Sequence, residues 1–401
     1  MKKRISPGLV LFMMLMSMTA GAMCLNKVAP LVPILTESLH LTGTAQSGLL
    51  MSVFTISGIF LAIPSGVIIA KIGYYKTGII ALGAIFIGSV MGAFSHEFAL
   101  MLVSRIIEGI GLILLMTLGP AAVAGVFDDR RRGSAMGLLM CFMAFGQIAM
   151  LNLAPRIADV SPWETVWWVT AIYALVFGVI WVVALRNLDA SLAPDPHTAD
   201  APSKKQEQGH AKLFSKDVFA NPGVWLVGLM LLIYLIAEQG AISFLPTYLA
   251  EERGLDSATA SSIISIAPLV GIPVGIITGM ISDKWGSRKK PLAILMVLAA
   301  ITYALMPIWP TESYAILIVL FGIAVMGQVG LSFSAVAELV PPERGDMGTA
   351  FLNTFQWVGI FLSSTLVGIL IEQFGWSMSF WILVPLTVVG AVLVFVTPKL
   401  R

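Results

Sequence analysis

Twelve apolar runs, each long enough to cross a lipid bilayer as a helix, constrain this chain more than any other feature. A membrane-spanning helix needs about 20 mostly apolar residues, and a backbone in lipid must satisfy its own hydrogen bonds, which leaves few folds open. The runs form two sets of six separated by a polar stretch. Their approximate ranges are 8–35, 45–70, 77–95, 98–126, 134–157 and 164–185, then 223–250, 258–282, 291–309, 313–340, 346–371 and 376–397.

Composition excludes a soluble globular protein. The chain is 58% hydrophobic and 11% charged, whereas soluble domains carry about 25% charged residues. The two cysteines lie in apolar runs and indicate neither a disulfide framework nor a metal site. Lys2, Lys3 and Arg4 before an apolar run resemble a secretory signal, but the run is too long for one, so we expect it to remain as the first spanning helix.

We predict an all-α membrane protein with two six-helix bundles, at residues 1–186 and 221–401. The stretch between them, 187–220, is rich in Pro, Ala, Ser, Lys and Gln and lacks apolar periodicity. Such a composition is typical of a flexible linker. With twelve helices, both termini and this linker lie on the same side of the membrane.

The placement of basic residues predicts that this side is the cytoplasm. Of 24 Lys and Arg residues, 20 lie at the termini, in the linker or in the loops on that side. The opposite side has only Arg156 and Arg253, while Lys27 and Arg105 lie inside predicted helices. Cytoplasmic loops carry such an excess of positive charge. We therefore expect a multi-pass protein of a bacterial inner membrane with cytoplasmic termini.

The two halves repeat one another with a constant offset. Aligning GVIIAKIGYYK at 66 with GMISDKWGSRK at 279 gives 279 − 66 = 213. The same shift relates many single residues, which indicates two parallel copies of one unit. Among them are Pro33 and Pro246, Gly73 and Gly286, Gly109 and Gly322, Trp163 and Trp376, and the small-residue triplets Gly58, Ala62, Gly66 and Gly271, Gly275, Gly279, which predict close helix packing.

These loop residues resemble a known family signature. The second-half loop, with Asp283, Lys284, Arg288 and Lys289, resembles the signature that the major facilitator superfamily carries between helices two and three and repeats between eight and nine. The run from Arg105 to Gly111 is similar to that family's R-x-x-Q-G-x-G pattern, with Glu108 for Gln. The resemblance covers the whole chain and implies two bundles around a central cavity, alternating access and secondary transport.

The charged loop is interpreted as a conformational latch. Asp283 lies at a helix end, where the positive end of another helix can face it, and the basic residues Lys284 and Arg288 can contact carboxylates or lipid phosphates. Glu338, just before a Pro-Pro pair, is the predicted latch partner of Arg288 or Lys284. In the first-half copy Ala70 replaces the acid. Either Asp346 supplies the missing charge to its own helix start, or the first latch is weaker without a substitute.

Four ionisable residues fall deep inside predicted helices and are functional candidates, because charge in a bilayer is costly. Lys27 and Arg105 lie about 12 Å and about 10 Å below the outer ends of their helices, which puts them at one level. One hypothesis has both cations bind an anionic group while Glu108 or Glu238 carries a proton. The other makes Arg105 and Glu108, three residues apart, an internal ion pair that organises the bundle.

Neutral polar side chains are further candidates for substrate contact. Asn26 neighbours Lys27, Gln239 neighbours Glu238, and Tyr234 lies about one turn before Glu238. Each such residue is equally consistent with a hydrogen bond between helices.

The favoured function is a secondary transporter for a small anion, coupled to protons or working by exchange, in the style of the family's cyanate- and nitrate-type permeases. Drug efflux is the alternative, although Met150 and Leu151 stand where the family's drug antiporters have Gly-Pro. A non-transporting sensor of the same fold is a third hypothesis. No phosphate-binding loop or catalytic constellation appears, so we expect no enzyme, no cofactor, no metal and no nucleic-acid partner, and a monomer that contacts membrane lipids.

Overall fold

The structure is a computed structural model that describes residues 5–192, 218, 220–341 and 344–398. Every regular element in that part of the chain is helical. The first half contains α1 (Pro7–Asn26), α2 (Val32–Ser38), α3 (Thr44–Ser52), α4 (Ile56–Ile72), α5 (Tyr74–Ala93), α6 (Phe98–Val126), α7 (Asp129–Met140), α8 (Phe142–Val160), α9 (Glu164–Ala184) and α10 (Leu188–Leu192).

The second half begins after the linker. Its helices are α11 (Pro222–Glu251), α12 (Ser257–Ile264), α13 (Ile266–Trp285), α14 (Lys289–Leu305), α15 (Tyr314–Met326), α16 (Gln328–Leu339) and α17 (Gly345–Val396).

Ten helical segments among the described residues are long and apolar enough to cross a membrane. Several combine neighbouring helices, such as Thr311–Leu339, which contains α15 and α16. The last, Met347–Val396, has 50 residues, more than twice the length that one crossing needs. Its helix is interrupted at Gly375, where φ is 76° and ψ 173°. The helix α14 has 17 residues and is not among the ten.

Large apolar side chains cover the outside of the molecule. Phe60 is 70% exposed, Ile276 66% and Val183 76%. A soluble monomer rarely exposes a continuous apolar surface of this kind, whereas lipid is a suitable solvent for it. The protein is therefore a multi-pass membrane protein.

The two glycines that the repeat matches in the charged loops both have positive φ. Gly73 lies between α4 and α5, and Gly286 lies between α13 and α14. Both have positive φ, 85° and 57°, a region that glycine enters without the steric penalty of a side chain. Their ψ angles differ, 165° at Gly73 and 30° at Gly286, so the two loops leave their helices in different directions.

The beginning of the predicted linker, 187–220, is packed onto the first half. Leu188 of α10 is fully buried, and the Asp189 carboxylate accepts hydrogen bonds from the backbone N–H groups of Tyr74 at 2.6 Å and Tyr75 at 3.3 Å. A carboxylate at a helix N-terminus satisfies its unpaired donors and its positive dipole end. Asp189 thus supplies a negative charge at the start of α5. This position is close to Ala70, which replaces the acid of the family signature. Residues 193–217 and 219 lie outside the described chain.

The two halves meet at the ends of the bundles that lie away from the chain termini. The Thr44 hydroxyl donates to the carbonyl of Gly368 at 2.7 Å, and the backbone N–H of Ala45 donates to Glu372 at 3.2 Å. Gly48 is packed so closely that a Cβ there would lie about 2.2 Å from the Ser364 carbonyl oxygen. These contacts close the side of the molecule away from the termini.

The small-residue triplets are only partly packed. A Cβ added to Gly58 would meet the Trp357 ring, and one added to Gly271 would meet Met326. In contrast, a Cβ at Gly66, Gly275 or Gly279 would meet nothing within 4 Å. Close packing therefore occurs at the first glycine of each triplet, while the glycines nearer the termini face open space.

The contact at Gly48 predicts how a larger side chain shifts the two halves. Gly48→Val places Cβ against backbone that cannot rotate away, so we expect it to separate the halves on that side. The measurement is the distance between spin labels on His40 and Glu312, which are exposed on opposite halves. We expect a longer distance in Gly48→Val and an unchanged one in Gly83→Val, which adds the same side chain where a Cβ meets nothing within 4 Å. Identical distance distributions for the two variants would contradict the close contact.

Candidate substrate and coupling site

A carboxylate with two cations lies inside the first bundle. Glu108 of α6 accepts from the Lys27 ammonium at 2.6 Å through one oxygen and from the Arg105 guanidinium at 2.7 Å through the other. All three side chains are fully buried. Removing a charged group from water is costly unless it is paired and hydrogen-bonded. We call this group the charge triad.

Further partners complete the coordination of Lys27. Its ammonium donates to the Thr170 hydroxyl of α9 at 3.0 Å and to the Ser89 hydroxyl of α5 at 3.5 Å. It also lies 4.5 Å from the centre of the Trp167 ring, a cation–π contact. The charge of Lys27 is thus compensated from three neighbouring helices.

Arg105 connects the triad to α1. Its guanidinium donates to the carbonyls of Cys24 at 2.5 Å and Leu25 at 3.3 Å, and it lies 4.7 Å from the centre of the Phe54 ring. The hydrogen-bonded network therefore ties α1, α5, α6 and α9 together. With all three groups ionised, the triad carries a net charge of one positive unit.

A small polar cavity lies where the two halves meet, with a volume of about 30 Å³, room for one or two water molecules. Residues from both halves line it in pairs that the 213-residue shift relates. The pairs are Asn26 and Gln239, Ala29 and Ile242, Gln147 and Ile360, and Leu151 and Ser364; Leu25, Met51, Ser52, Ser243 and Ser363 complete the wall.

The predicted cations do not line this cavity. Lys27 and Arg105 lie at one level, as their depths indicate, but both face the interior of the first bundle because Glu108 and neighbouring hydroxyl and carbonyl groups compensate their charge there. The hypothesis that both cations bind an anionic group stays a prediction, and the Arg105–Glu108 ion pair of the other hypothesis is present in the structure. Leu25, whose carbonyl accepts from Arg105, does line the cavity, so the triad lies one helix layer behind the wall.

The three neutral candidates have different positions. Asn26 and Gln239 line the cavity from opposite halves, and the Asn26 amide also donates to the carbonyl of Ala22 at 2.8 Å. Tyr234 does not line it. Its hydroxyl donates to the carbonyl of Val325 at 2.6 Å and holds α11 against α15.

Glu238 lies next to a cavity residue but behind the surface. It precedes Gln239 on α11 and is 3% exposed. None of the described Lys or Arg residues forms an ion pair with it. A buried carboxylate without a cation is stable in low-dielectric surroundings mainly in its protonated form. Glu238 is thus chemically suited to bind and release a proton.

The latch candidates meet at the ends of the second bundle. Arg288 donates to Asp283 at 2.5 Å, to Glu338 at 2.9 Å and to the Ser282 hydroxyl at 3.0 Å. Partial burial opposes the charge of Arg288, but the bonds to Asp283 and Glu338 outweigh it and raise the pKa of its guanidinium. Lys284 is exposed. The Asp346 side chain lies outside the described part of the chain, so its proposed role stays a prediction.

Several residues of the site have no distinctive sequence signal. Ser89, Thr170 and Trp167 complete the coordination of Lys27, yet each is an ordinary residue of an apolar helix. Ser363 and Ser364 form an adjacent hydroxyl pair within an apolar run, which is the one signal that could have identified them.

The family profile described as Major Facilitator Superfamily matches residues 8–363 and 288–401 of the chain. Among curated proteins, the glycerol-3-phosphate transporter of Bacillus subtilis is 22% identical over 255 residues, covering 60% of this chain and 57% of that protein. The membrane sensor protein UhpC of Salmonella typhimurium is 25% identical over 228 residues, covering 54% of this chain and 52% of that protein. The chain thus spans little more than half the length of these two relatives.

The lincomycin resistance protein LmrB of Listeria monocytogenes is 22% identical over 314 residues, 68% of this chain and 67% of that protein. Among solved structures, a bacterial homolog of the human lysosomal transporter Spinster, in an inward-facing and occupied conformation, superposes with a TM-score of 0.80 at 15% identity. That comparison covers 98% of this chain and 97% of the other. The similarity establishes the fold.

The charge triad predicts an asymmetric response to substitution. Glu108→Gln leaves two buried cations without a counter-charge, so we expect a loss of about 3–5 kcal/mol of unfolding free energy. Lys27→Met leaves the Arg105–Glu108 pair and should cost less. Unfolding in detergent micelles measures both, with Glu97→Gln as the control because Glu97 is an exposed acid just before α6. A Glu108→Gln variant as stable as Glu97→Gln would contradict the structural role of the triad.

Proposed function

The chain belongs to the Major Facilitator Superfamily, and from that premise we propose that it moves a small anionic solute together with a proton. Members of this family are membrane transporters and not enzymes, and the same holds for this protein. The proposal for its substrate depends on one observation: a buried group with net positive charge lies directly behind the wall of a cavity that both halves line. This cavity has a volume of about 30 Å³ in the structure and must widen to admit the solute.

The proposed membrane arrangement has twelve crossings. Ten segments qualify by length and composition; division of Met347–Val396 at Gly375 adds one, and the 17-residue α14 adds another. The division is proposed because 50 residues exceed one bilayer crossing by more than twofold. We propose two bundles, 1–186 and 221–401, joined by a linker in 187–220. The bias of Lys and Arg supports cytoplasmic termini in a bacterial inner membrane.

Alternating access is supported by the unequal packing of the two sides. The halves are in contact away from the termini, through Thr44, Ala45 and Gly48. Gly66 and Gly279, matched by the repeat, face open space nearer the termini. We propose that these glycines pack against the opposite half when the protein opens to the other side, and that the contacts of Arg288 with Asp283 and Glu338 change in that step.

The charges favour an anion. A unit charge about 8 Å from a ligand, at an effective dielectric constant of about 20, contributes about 2 kcal/mol. The triad supplies this potential, while Asn26, Gln239 and Gln147 offer neutral amide donors within the cavity. Lys27 and Arg105 thus act on the substrate through the field that they create. The relative named as a glycerol-3-phosphate transporter supports the same substrate class.

Proton coupling follows from the charge balance. When Glu238 is ionised, its negative charge offsets the net positive charge of the triad, and an added anion would be uncompensated. When Glu238 is protonated, the site retains a positive charge that an anion can neutralise. A monovalent anion and a proton therefore bind best together, which is the requirement for symport. Glu108 remains committed to its two cations, so Glu238 is the proposed proton carrier.

Drug efflux is the second candidate, favoured by the relative named as a lincomycin resistance protein, which covers 68% of this chain. A sensor without transport is the third, in view of the relative named as a membrane sensor. All three share the cavity, but they differ in what binds and in whether it crosses the membrane.

Binding and flux measurements separate these functions. We expect glycerol 3-phosphate, inorganic phosphate or a small carboxylate to raise the unfolding temperature of the purified protein, and lincomycin to leave it unchanged. In liposomes, the best anion should accumulate when the outside is made more acidic. Stabilisation by lincomycin alone would contradict the anion proposal, and anion binding without flux would indicate a sensor.

Substitution of Glu238 tests the coupling. Glu238→Gln cannot release a proton, so we expect it to abolish uptake driven by a pH gradient while exchange of labelled for unlabelled anion continues. Glu252→Gln is the matched control, an exposed acid at the end of the same helix. If Glu238→Gln still accumulates the anion in response to the pH gradient, Glu238 is not the proton carrier.

A further inference from the structure

Two grooves occupy related positions on the outer surface of the two bundles. The first groove, of about 320 Å³, lies between α5 and α9, and the second, of about 590 Å³, lies between α14 and the end of α17. The 213-residue shift carries Val182 of the first groove onto Phe395 of the second. The repeat thus relates the helices that form the two grooves, and Val182 and Phe395 are the one matched pair in their linings.

Their linings differ in chemistry. Every residue of the first groove is apolar: Ile79, Leu82, Gly83, Phe86, Ala174, Leu175, Gly178, Val179, Val182 and Val183. The second groove combines the apolar Ala293, Ile294, Val297 and Phe395 with Trp285 and Lys290 at one end.

The cation and the indole are particular to the second half. The shift relates Trp285 to Ile72 and Lys290 to Thr77. Thr77 is buried and donates to the carbonyl of Gly73 at 2.7 Å, whereas Lys290 is exposed and Trp285 is 49% exposed. The matched residues Ile72 and Thr77 are neither cationic nor indole-bearing, and neither lines the first groove.

Lys284 and Lys290 are the basic residues of this loop that remain available to a ligand, and of the two Lys290 is the one that lines the groove. Lys289 donates to the carbonyls of Phe395 at 3.1 Å and Thr397 at 3.0 Å, and Arg288 is paired with Asp283 and Glu338. No carboxylate of the described residues forms an ion pair with Lys290. Its positive charge is therefore uncompensated at the mouth of an apolar groove.

We propose that the second groove binds an anionic phospholipid from the leaflet on the side of the chain termini. The phosphate contacts the Lys290 ammonium, and the Trp285 indole lies at the level of the headgroup, where tryptophan is favoured at membrane interfaces. One acyl chain follows Ala293, Ile294 and Val297 toward the membrane interior, and the path from Lys290 to Val297 is about 10 Å along α14. Basic pockets between membrane helices on the cytoplasmic side are suited to such headgroups.

Native mass spectrometry of the purified protein tests this proposal. The probes are phosphatidylglycerol and phosphatidylethanolamine with identical acyl chains, so that the headgroup is the variable. We expect about fivefold tighter binding of the first phosphatidylglycerol molecule than of phosphatidylethanolamine, from the charge contribution of one lysine near a membrane surface. Lys290→Gln should remove this preference, and Lys290→Arg should keep it.

Two further variants separate the headgroup from the acyl chain. Val297→Phe fills the groove and should weaken binding of both lipids equally, since Val297 is 49% exposed along its wall. Lys76→Gln removes an exposed lysine from the related loop of the first half and should keep the preference. No preference in the wild-type protein, or a preference that survives Lys290→Gln or is lost equally in Lys76→Gln, would overturn the proposal. Lipid binding is measured without transport, so this result does not depend on the proposed function.

Discussion

The carboxylate of Glu108 is the interaction on which the first bundle depends. It neutralises one of two cations that are fully enclosed in the protein, Lys27 and Arg105, and it does so with both oxygens at hydrogen-bond distance. Burial of two positive charges without it would cost several kcal/mol. The same group fixes where α1 meets α6, because Arg105 also binds the carbonyls of Cys24 and Leu25. The wall of the cavity at Leu25 and Asn26 is thereby held in place.

The two halves share a fold and differ in chemistry. The first bundle has buried charges at positions where the second has apolar or aromatic groups: Arg105 corresponds to Ile318 and Glu108 to Phe321. The second bundle instead places Glu238 where the first has Leu25. A cation-rich half therefore faces a half with one acid across a neutral cavity. This asymmetry supports the proposed coupling of an anion to a proton, because neither half carries both functions.

Much of the fold was predictable from the sequence because the patterns that indicate it extend over whole segments of the chain. Long apolar runs, one constant offset and glycines at Gly73 and Gly286 each leave a clear pattern, and the family profile agrees with them. The facing of single side chains was not predictable. Depth along a helix follows from the rise per residue, which put Lys27 and Arg105 at one level, but helices that are apolar on all sides give no signal for direction. Lys27 also stands at the end of α1, where regular periodicity stops. Asn26 and Gln239 are related by the repeat, and both line the cavity.

The central claim is that the site takes up a proton when it binds an anion. In the free protein an ionised Glu238 balances the net positive charge of the triad. A bound anion adds one negative charge, which protonation of Glu238 removes. Titration calorimetry with the best-binding anion, in buffers of different ionisation enthalpy, measures this uptake directly. At a pH where Glu238 is ionised in the free protein, the charge balance predicts that about one proton is taken up for each monovalent anion bound. A binding enthalpy that is the same in every buffer across the pH range would mean that no proton accompanies the anion, and would contradict the account.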